Sequence, residues 1–188
     1  MKSKSAIRAW ASERRRALNE DYRKQASVKI AEKLMSESIW KEAGCIYLYY
    51  GCGDEVLTEA LILEALKSGN KVFLPRVVSD SSMVFIQITS LDNMESGAFG
   101  IPEPACEGSK VSEIRPDIII VPCVAVDRSG NRAGHGKGYY DRFFAEWGGN
   151  DIPKVCLAFD CQIAEDFETG DTDVRMDMII TEKEIIKL

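Results

Sequence analysis

Apolar residues return at helical spacing in only a few stretches of the chain, and turn chemistry bounds each of them. Ile7, Trp10, Ala11 and Leu18 keep roughly a helical period, and Tyr22, Ala26, Ile30 and Leu34 form a second stripe after Asn19, a good N-cap. The spacing predicts a helical pair at the start. The pattern then turns aromatic and β-branched over residues 45–50, passes through a loop at 51–55, becomes helical from about 58 to 69, and gives a strand at 71–74 closed by Pro75. Such a β-loop-α-β unit makes its two strands parallel with a right-handed crossover. Residues 83–88 predict another strand, and 91–116 reads mostly as loop, with turn residues at Gly97, Gly100, Pro102 and Pro104. A loop of that length in a compact domain usually has a function. The second half repeats the theme: a strand at 118–121, a glycine-rich loop to Gly138, a helix at about 139–147, a strand at 155–159 and a last short strand near 178–181. The expected fold class is α/β, a single-domain three-layer α/β/α sandwich over residues 1–188 with a mostly parallel central sheet and ligands at the carboxyl ends of its strands.

Composition narrows the class. With 188 residues, 45% of them apolar and 29% charged, the chain is long enough to bury a core without disulfide or metal staples. The longest apolar stretch, 118–126, falls well short of the roughly 20 residues that cross a bilayer. Arg8, Glu13 and Arg14 to Arg16 interrupt any secretory h-region, and Glu13, Glu20 and Asp21 are out of place in a mitochondrial presequence, so a cytoplasmic protein is expected. Six cysteines without a C-x-x-C pair, and a single histidine, leave no legible zinc site and point to reduced thiols. The net charge is −6, yet residues 1–24 hold eight Lys/Arg against three acids, so the remaining body is strongly acidic and should repel nucleic acid. Taken alone, the basic start reads as a solvated helix face.

One span departs from this ordinary picture. Gly130, Gly134, Gly136 and Gly138 stand between a buried strand and a helix, with Arg132 and Lys137 among them. A glycine loop lets backbone amides approach an anion, and the helix start adds positive potential. The run satisfies neither the Walker A pattern nor the dinucleotide fingerprint. A tight strand-to-helix turn with exposed cations is the alternative; four glycines, two cations and a helix start together favour phosphate binding. Asp141 lies in the first helical turn, where the dipole alone favours an acid. Beside a polyphosphate, the same carboxylate becomes a natural Mg²⁺ ligand. His135 is given a binding role there, not a catalytic one.

Val121-Pro-Cys-Val-Ala-Val-Asp127, followed by Gly130-x-Arg132-x-Gly134-x-Gly136-x-Gly138-Tyr-Tyr-Asp-Arg142, closely resembles the signature of the 5-formyltetrahydrofolate cyclo-ligase family. Lys4-Ser-Ala-Ile-Arg8, Asp54-Glu-Val-Leu-Thr58, Leu74-Pro-Arg76, Gly100-Ile-Pro-Glu-Pro104, Leu157-Ala-Phe159, Gln162, Asp177 and Thr181-Glu182 extend the resemblance in order along the chain. It implies an enzyme that turns 5-formyltetrahydrofolate into 5,10-methenyltetrahydrofolate while ATP becomes ADP and phosphate, with Mg²⁺ as cofactor. It also implies ATP contacts from Lys4, Arg8, Arg132, Gly134, His135, Gly136, Lys137, Gly138, Tyr139 and Tyr140, with Arg132 or Lys137 neutralising charge during transfer. Folate contacts would come from Tyr50, Glu55, Phe99, His135 and Tyr139, and metal ligands from Asp141 and Asp177. The implied partners are these small molecules alone, with no nucleic acid or membrane, and a monomer or weak homodimer. Two rivals stay open at this point: a non-catalytic relative that binds nucleotide or folate, and a sugar-phosphate isomerase or similar α/β enzyme using the loop for a monophosphate.

Overall fold

The computed structural model describes residues 2–105, 113–147 and 151–188. Helix α1 (Lys4–Ala17) is capped by Ser3 and α2 (Glu20–Ser36) by Asn19, whose Oδ1 accepts the Tyr22 N–H at 2.7 Å. A single turn α3 (Ser38–Lys41) leads into β1 (Cys45–Tyr47), then α4 (Glu59–Lys67), β2 (Lys71–Val77) and β3 (Met83–Ile88). Next come the short strands β4 (Met94–Ser96) and β5 (Pro102–Pro104), followed by β6 (Ile118–Pro122), β7 (Ala125–Asp127) and β8 (Arg132–Ala133). The chain ends with α5 (Tyr139–Glu146), β9 (Lys154–Leu157), β10 (Ile163–Ala164), β11 (Met178–Ile180) and β12 (Ile185–Lys187).

Seven strands build the central sheet in the order β12-β11-β9-β6-β1-β2-β3. The five inner strands are parallel and each edge strand is antiparallel to its neighbour, so the expected α/β architecture holds. The strands read as near-continuous apolar runs because both faces are covered. Ile46, Val72, Leu74, Ile118, Ile120, Val155 and Ile180 pack with Ile30, Leu34, Leu61 and Ile62 of α2 and α4 on one side. Tyr47, Phe73, Phe85, Ile119, Val121, Cys156 and Ile179 meet Phe143 and Phe144 of α5 on the other. Here Tyr47 and Phe85 stack at 4.4 Å and Phe85 reaches Phe143 at 4.9 Å, a cluster that roots α5 in the core.

Four features depart from the sequence reading. Pro75 does not close β2, which continues to Val77 opposite β3. The β1 ladder stops at Tyr47 opposite Phe73, so the proline's missing N–H lies where no partner strand asks for it. The stretch 91–116 contains the two-stranded sheet β4-β5, and 106–112 lies outside the described residues. The glycine-rich span is half hairpin: β7 and β8 pair around a turn in which buried Asp127 accepts the Ser129 and Asn131 N–H groups, each at 2.9 Å. Finally, α1 packs on the small sheet β10-β7-β8, with Ile7 and Ala11 against Val124, Ala125, Ala133, Ala164 and Phe167. That attachment brings the basic helix over the glycine loop. Among the described residues no helix is long and apolar enough to cross a membrane.

Candidate active site

The carboxyl ends of β1, β2 and β6 open into a cavity of about 860 Å³. The loop that follows β1 beside it is set by close packing. Gly51, just past β1, lies so near Val56 that a Cβ would stand 2.0 Å from the Val56 carbonyl oxygen, and the loop to Glu55 can fold this tightly only with glycine there.

One wall is α1. Lys4, Arg8 and Arg15 share the stripe that faces the cavity, although the basic segment alone read as a solvated face. Arg8 Nε donates to the Gly134 carbonyl at 2.6 Å, and Lys4 pairs with Asp173. The opposite wall is the remaining loop, Gly134 to Gly138. Gly136 and Gly138 adopt φ of 95° and 69°, in the left-handed region that favours glycine. Gly138 precedes α5 and the helix has no side-chain cap, so N–H groups of its first turn stay available to an anion.

Arg132 is 6% exposed and held from several sides: Nη2 lies 3.0 Å from Asp141 Oδ1, Nη1 donates to the Pro122 carbonyl at 3.3 Å, and the guanidinium stands 5.5 Å from the Tyr140 ring centre. It is a fixed part of the wall rather than a free counter-charge. Lys137, by contrast, is exposed and forms no ion pair with a described residue. Arg132 Nε and the Tyr140 hydroxyl are both buried without a hydrogen-bond partner. Burial holds that hydroxyl protonated by pushing its pKa well above the tyrosine norm. Two unpaired donors in one wall fit a ligand rich in oxygen acceptors.

The far end of the cavity carries Tyr50 and Glu55. Glu55 is largely buried, and one carboxylate oxygen lies 3.0 Å from His135 Nε2, so the glycine loop touches the acid expected to contact folate. Half-buried Tyr50 also has its hydroxyl pKa raised, by burial first and then by Glu59. The Tyr139 hydroxyl donates to the Ser79 carbonyl at 3.3 Å, and Arg142 donates to the Ser81 and Lys137 carbonyls, which ties the β2-β3 turn to the loop.

Thirteen of the predicted site residues therefore line one cavity: Lys4, Arg8, Tyr50, Glu55, Arg132, the five residues Gly134 to Gly138, Tyr139, Tyr140 and Asp141. The Phe99 side chain lies outside the described residues; Ala98 and Ile101 on either side of it line the cavity. Asp177 is not with the others. It stands at the amino end of β11, where its Oδ2 accepts the Lys154 backbone N–H at 2.8 Å and pairs with Lys154 Nζ at 2.9 Å. Asp177, which the resemblance offered as a metal ligand, therefore does not line the cavity that holds Asp141. Asp173 does reach the cavity. Burial works against its charge, yet the Lys4 ammonium and the Gly170 N–H hold its carboxyl below the usual range, with Arg132 adding to the effect.

No group of three or more metal-ligating side chains occurs among the described residues. Two carboxylates, Asp141 and Asp173, line the one cavity and suit Mg²⁺, which takes one or two protein carboxylates and fills the rest with phosphate oxygens and water.

Residues 1–182 match the family model described as the 5-formyltetrahydrofolate cyclo-ligase family. The chain belongs to that family. A probable 5-formyltetrahydrofolate cyclo-ligase of Caenorhabditis elegans is 31% identical over 194 residues, covering 97% of this chain and 94% of the relative. The 5-formyltetrahydrofolate cyclo-ligase of Haemophilus influenzae is 31% identical over 153 residues, covering 80% and 82%. The solved structure of Aquifex aeolicus 5,10-methenyltetrahydrofolate synthetase superposes with a TM-score of 0.83 at 31% identity over 98% of this chain and 92% of that one. Membership makes the chain a ligase. Arg15, Asp54 and Asp173 also line the cavity of this cyclo-ligase, and the sequence alone assigned none of them a role. Asp173 sits in an acid-rich loop beside Asp171 and Glu168, where no pattern marks it out.

Proposed function

We propose that the protein converts 5-formyltetrahydrofolate and ATP into 5,10-methenyltetrahydrofolate, ADP and phosphate. The observation that carries this reading is the 3.0 Å contact between His135 and Glu55, because it joins an anion-binding loop to a buried acid in one cavity.

The chemical difficulty is that a formamide oxygen is a poor leaving group. In the proposed reaction that oxygen attacks the γ-phosphorus of ATP, a new P–O bond forms, and the bridging bond to ADP breaks with its electron pair going to ADP. The nitrogen at position 10 then adds to the activated carbon, loses its proton and expels phosphate, closing the five-membered ring. No protein nucleophile is needed, so catalysis rests on positioning and charge stabilisation. Arg8, the Gly134–Gly138 amides and Lys137 bind the triphosphate, and the Arg132 Nε and Tyr140 hydroxyl donate to its oxygens. Glu55 accepts paired N–H bonds from the aminopyrimidinone edge of the pterin. Asp141 and Asp173 would hold Mg²⁺, which when bound would supply charge neutralisation on the polyphosphate.

The test is an absorbance assay for the methenyl chromophore with purified protein, 5-formyltetrahydrofolate and MgATP. Colour that disappears when ATP is omitted or EDTA is added is the expected result. Binding of both substrates without colour would instead assign a non-catalytic member of the family, and colour that persists without ATP would overturn the ATP-dependent step.

A further inference from the structure

Arg15 is 5% exposed, and nothing in the reaction above uses it. It sits at the far end of the α1 stripe that carries Lys4 and Arg8, seven residues beyond Arg8. Its Nη2 pairs with Asp54 Oδ1 at 2.9 Å, and its Nη1 reaches the Cys123 carbonyl at 3.5 Å. Asp54 is the immediate neighbour of Glu55. Thus α1 is fastened at two points: to the phosphate loop through Arg8 and Gly134, and to the folate-side loop through Arg15 and Asp54. At a helical rise of about 1.5 Å per residue the two fastenings are about 10 Å apart along the axis. A helix is stiff over that length, whereas both loops are irregular chain.

We propose that Arg15 is a positioning residue whose ion pair with Asp54 makes α1 a strut, setting the distance between the phosphate-binding loop and Glu55, and so between the γ-phosphorus and the formyl oxygen. The inference rests on the cyclo-ligase reading for what is positioned, but its core is the spacing of two loops. A buried guanidinium on a carboxylate suits this task, because the pair is directional and has little room to slide once desolvated. Misplacing two reacting groups by about 1 Å can cost about a hundredfold in rate.

The test uses the full chain with Arg15→Met, Arg15→Lys, Asp54→Asn and the double variant Arg15→Met/Asp54→Asn, each checked for folding by circular dichroism. Folate and ATP affinities come from calorimetry and kcat from the chromophore assay. Arg15→Met is expected to lower kcat by about 30- to 100-fold and weaken folate by about tenfold while ATP affinity stays within about threefold. Arg15→Lys should recover part of the loss, and the double variant should be no worse than Arg15→Met, since both changes break the same Arg15–Asp54 pair. A purely structural role would move the melting temperature and leave kcat per folded molecule and both affinities alone. Should Arg15→Met not fold, Asp54→Asn and Arg15→Lys carry the same comparison. Folded variants with kcat and folate affinity within about twofold of the parent, or losses that multiply in the double variant, overturn the proposal. If the parent makes no methenyl product, the cyclo-ligase reading fails while the folate-affinity arm still decides the strut.

Discussion

The two ends of the central sheet use the same residue type for different work. At the amino ends, Asp117 accepts the Gly44 and Cys45 N–H groups, each at 2.8 Å, and Asp177 accepts the Lys154 N–H where β9 begins. These carboxylates satisfy strand starts that would otherwise lack acceptors. At the carboxyl ends, Asp54, Asp141 and Asp173 face Arg15, Arg132 and Lys4 around a cavity. One set holds strands together and the other holds cations in place. Which job an aspartate does is decided by the end of the sheet on which the fold leaves it, and not by its immediate sequence neighbours.

The largest effect that tests this contrast is expected at Lys137, the exposed cation of the phosphate loop. Lys137→Ala should lower kcat by about 10²- to 10³-fold, as for removal of one charge-stabilising donor, with an unchanged melting temperature. Steady-state kinetics within about threefold of the parent would remove Lys137 from the transfer step. The aspartates come next. Asp173→Asn should raise the magnesium concentration for half-maximal turnover by about tenfold or more, whereas Asp177→Asn should leave it alone and cost about 1 kcal/mol of stability through its half-exposed contacts. A magnesium titration of both variants, with urea unfolding of each, reads the difference; a magnesium effect in Asp177→Asn alone would reverse the assignment.

Much of the fold was legible because its signals are local. The apolar runs of β6 and β9, the Asn19 cap and the crossover from β1 to β2 all follow from residue pattern and chain direction. Most site residues were legible through the glycine loop and the family motifs, which concentrate charge and glycine in short spans. What stayed hidden depends on distant contacts. Lys4 and Asp173 are far apart in sequence and meet only because α1 docks on the β10-β7-β8 sheet, so an acid in an acid-rich loop carried no mark. Asp177 sits just before an apolar strand, and a motif match alone could not say at which end of the sheet that strand begins. Arg15 lies in a run of three arginines, of which only it is buried; helical phase separates it from Arg14 and Arg16 only once the docking face of α1 is known.

The smallest expected effect is the most discriminating about Asp173. Burial raises this carboxyl, and the Lys4 ammonium with the Gly170 N–H more than offsets it. Lys4→Met removes the cation and leaves the burial, so the carboxyl pKa should move upward, read by ¹³C NMR titration of the Asp173 side chain. The sign for stability follows. In the parent the folded-state pKa lies below the ordinary value, so the pair stabilises the fold above that ordinary value and its contribution is lost as pH falls through the lowered pKa. In the variant that contribution is missing, and acid unfolding begins at a higher pH. At neutral pH the carboxylate is ionised in both proteins, so the magnesium requirement should differ little there and diverge only under acid conditions. An Asp173 titration unchanged by Lys4→Met would show that the ion pair is not what holds this carboxylate in the cavity, and would leave the Gly170 turn as its anchor.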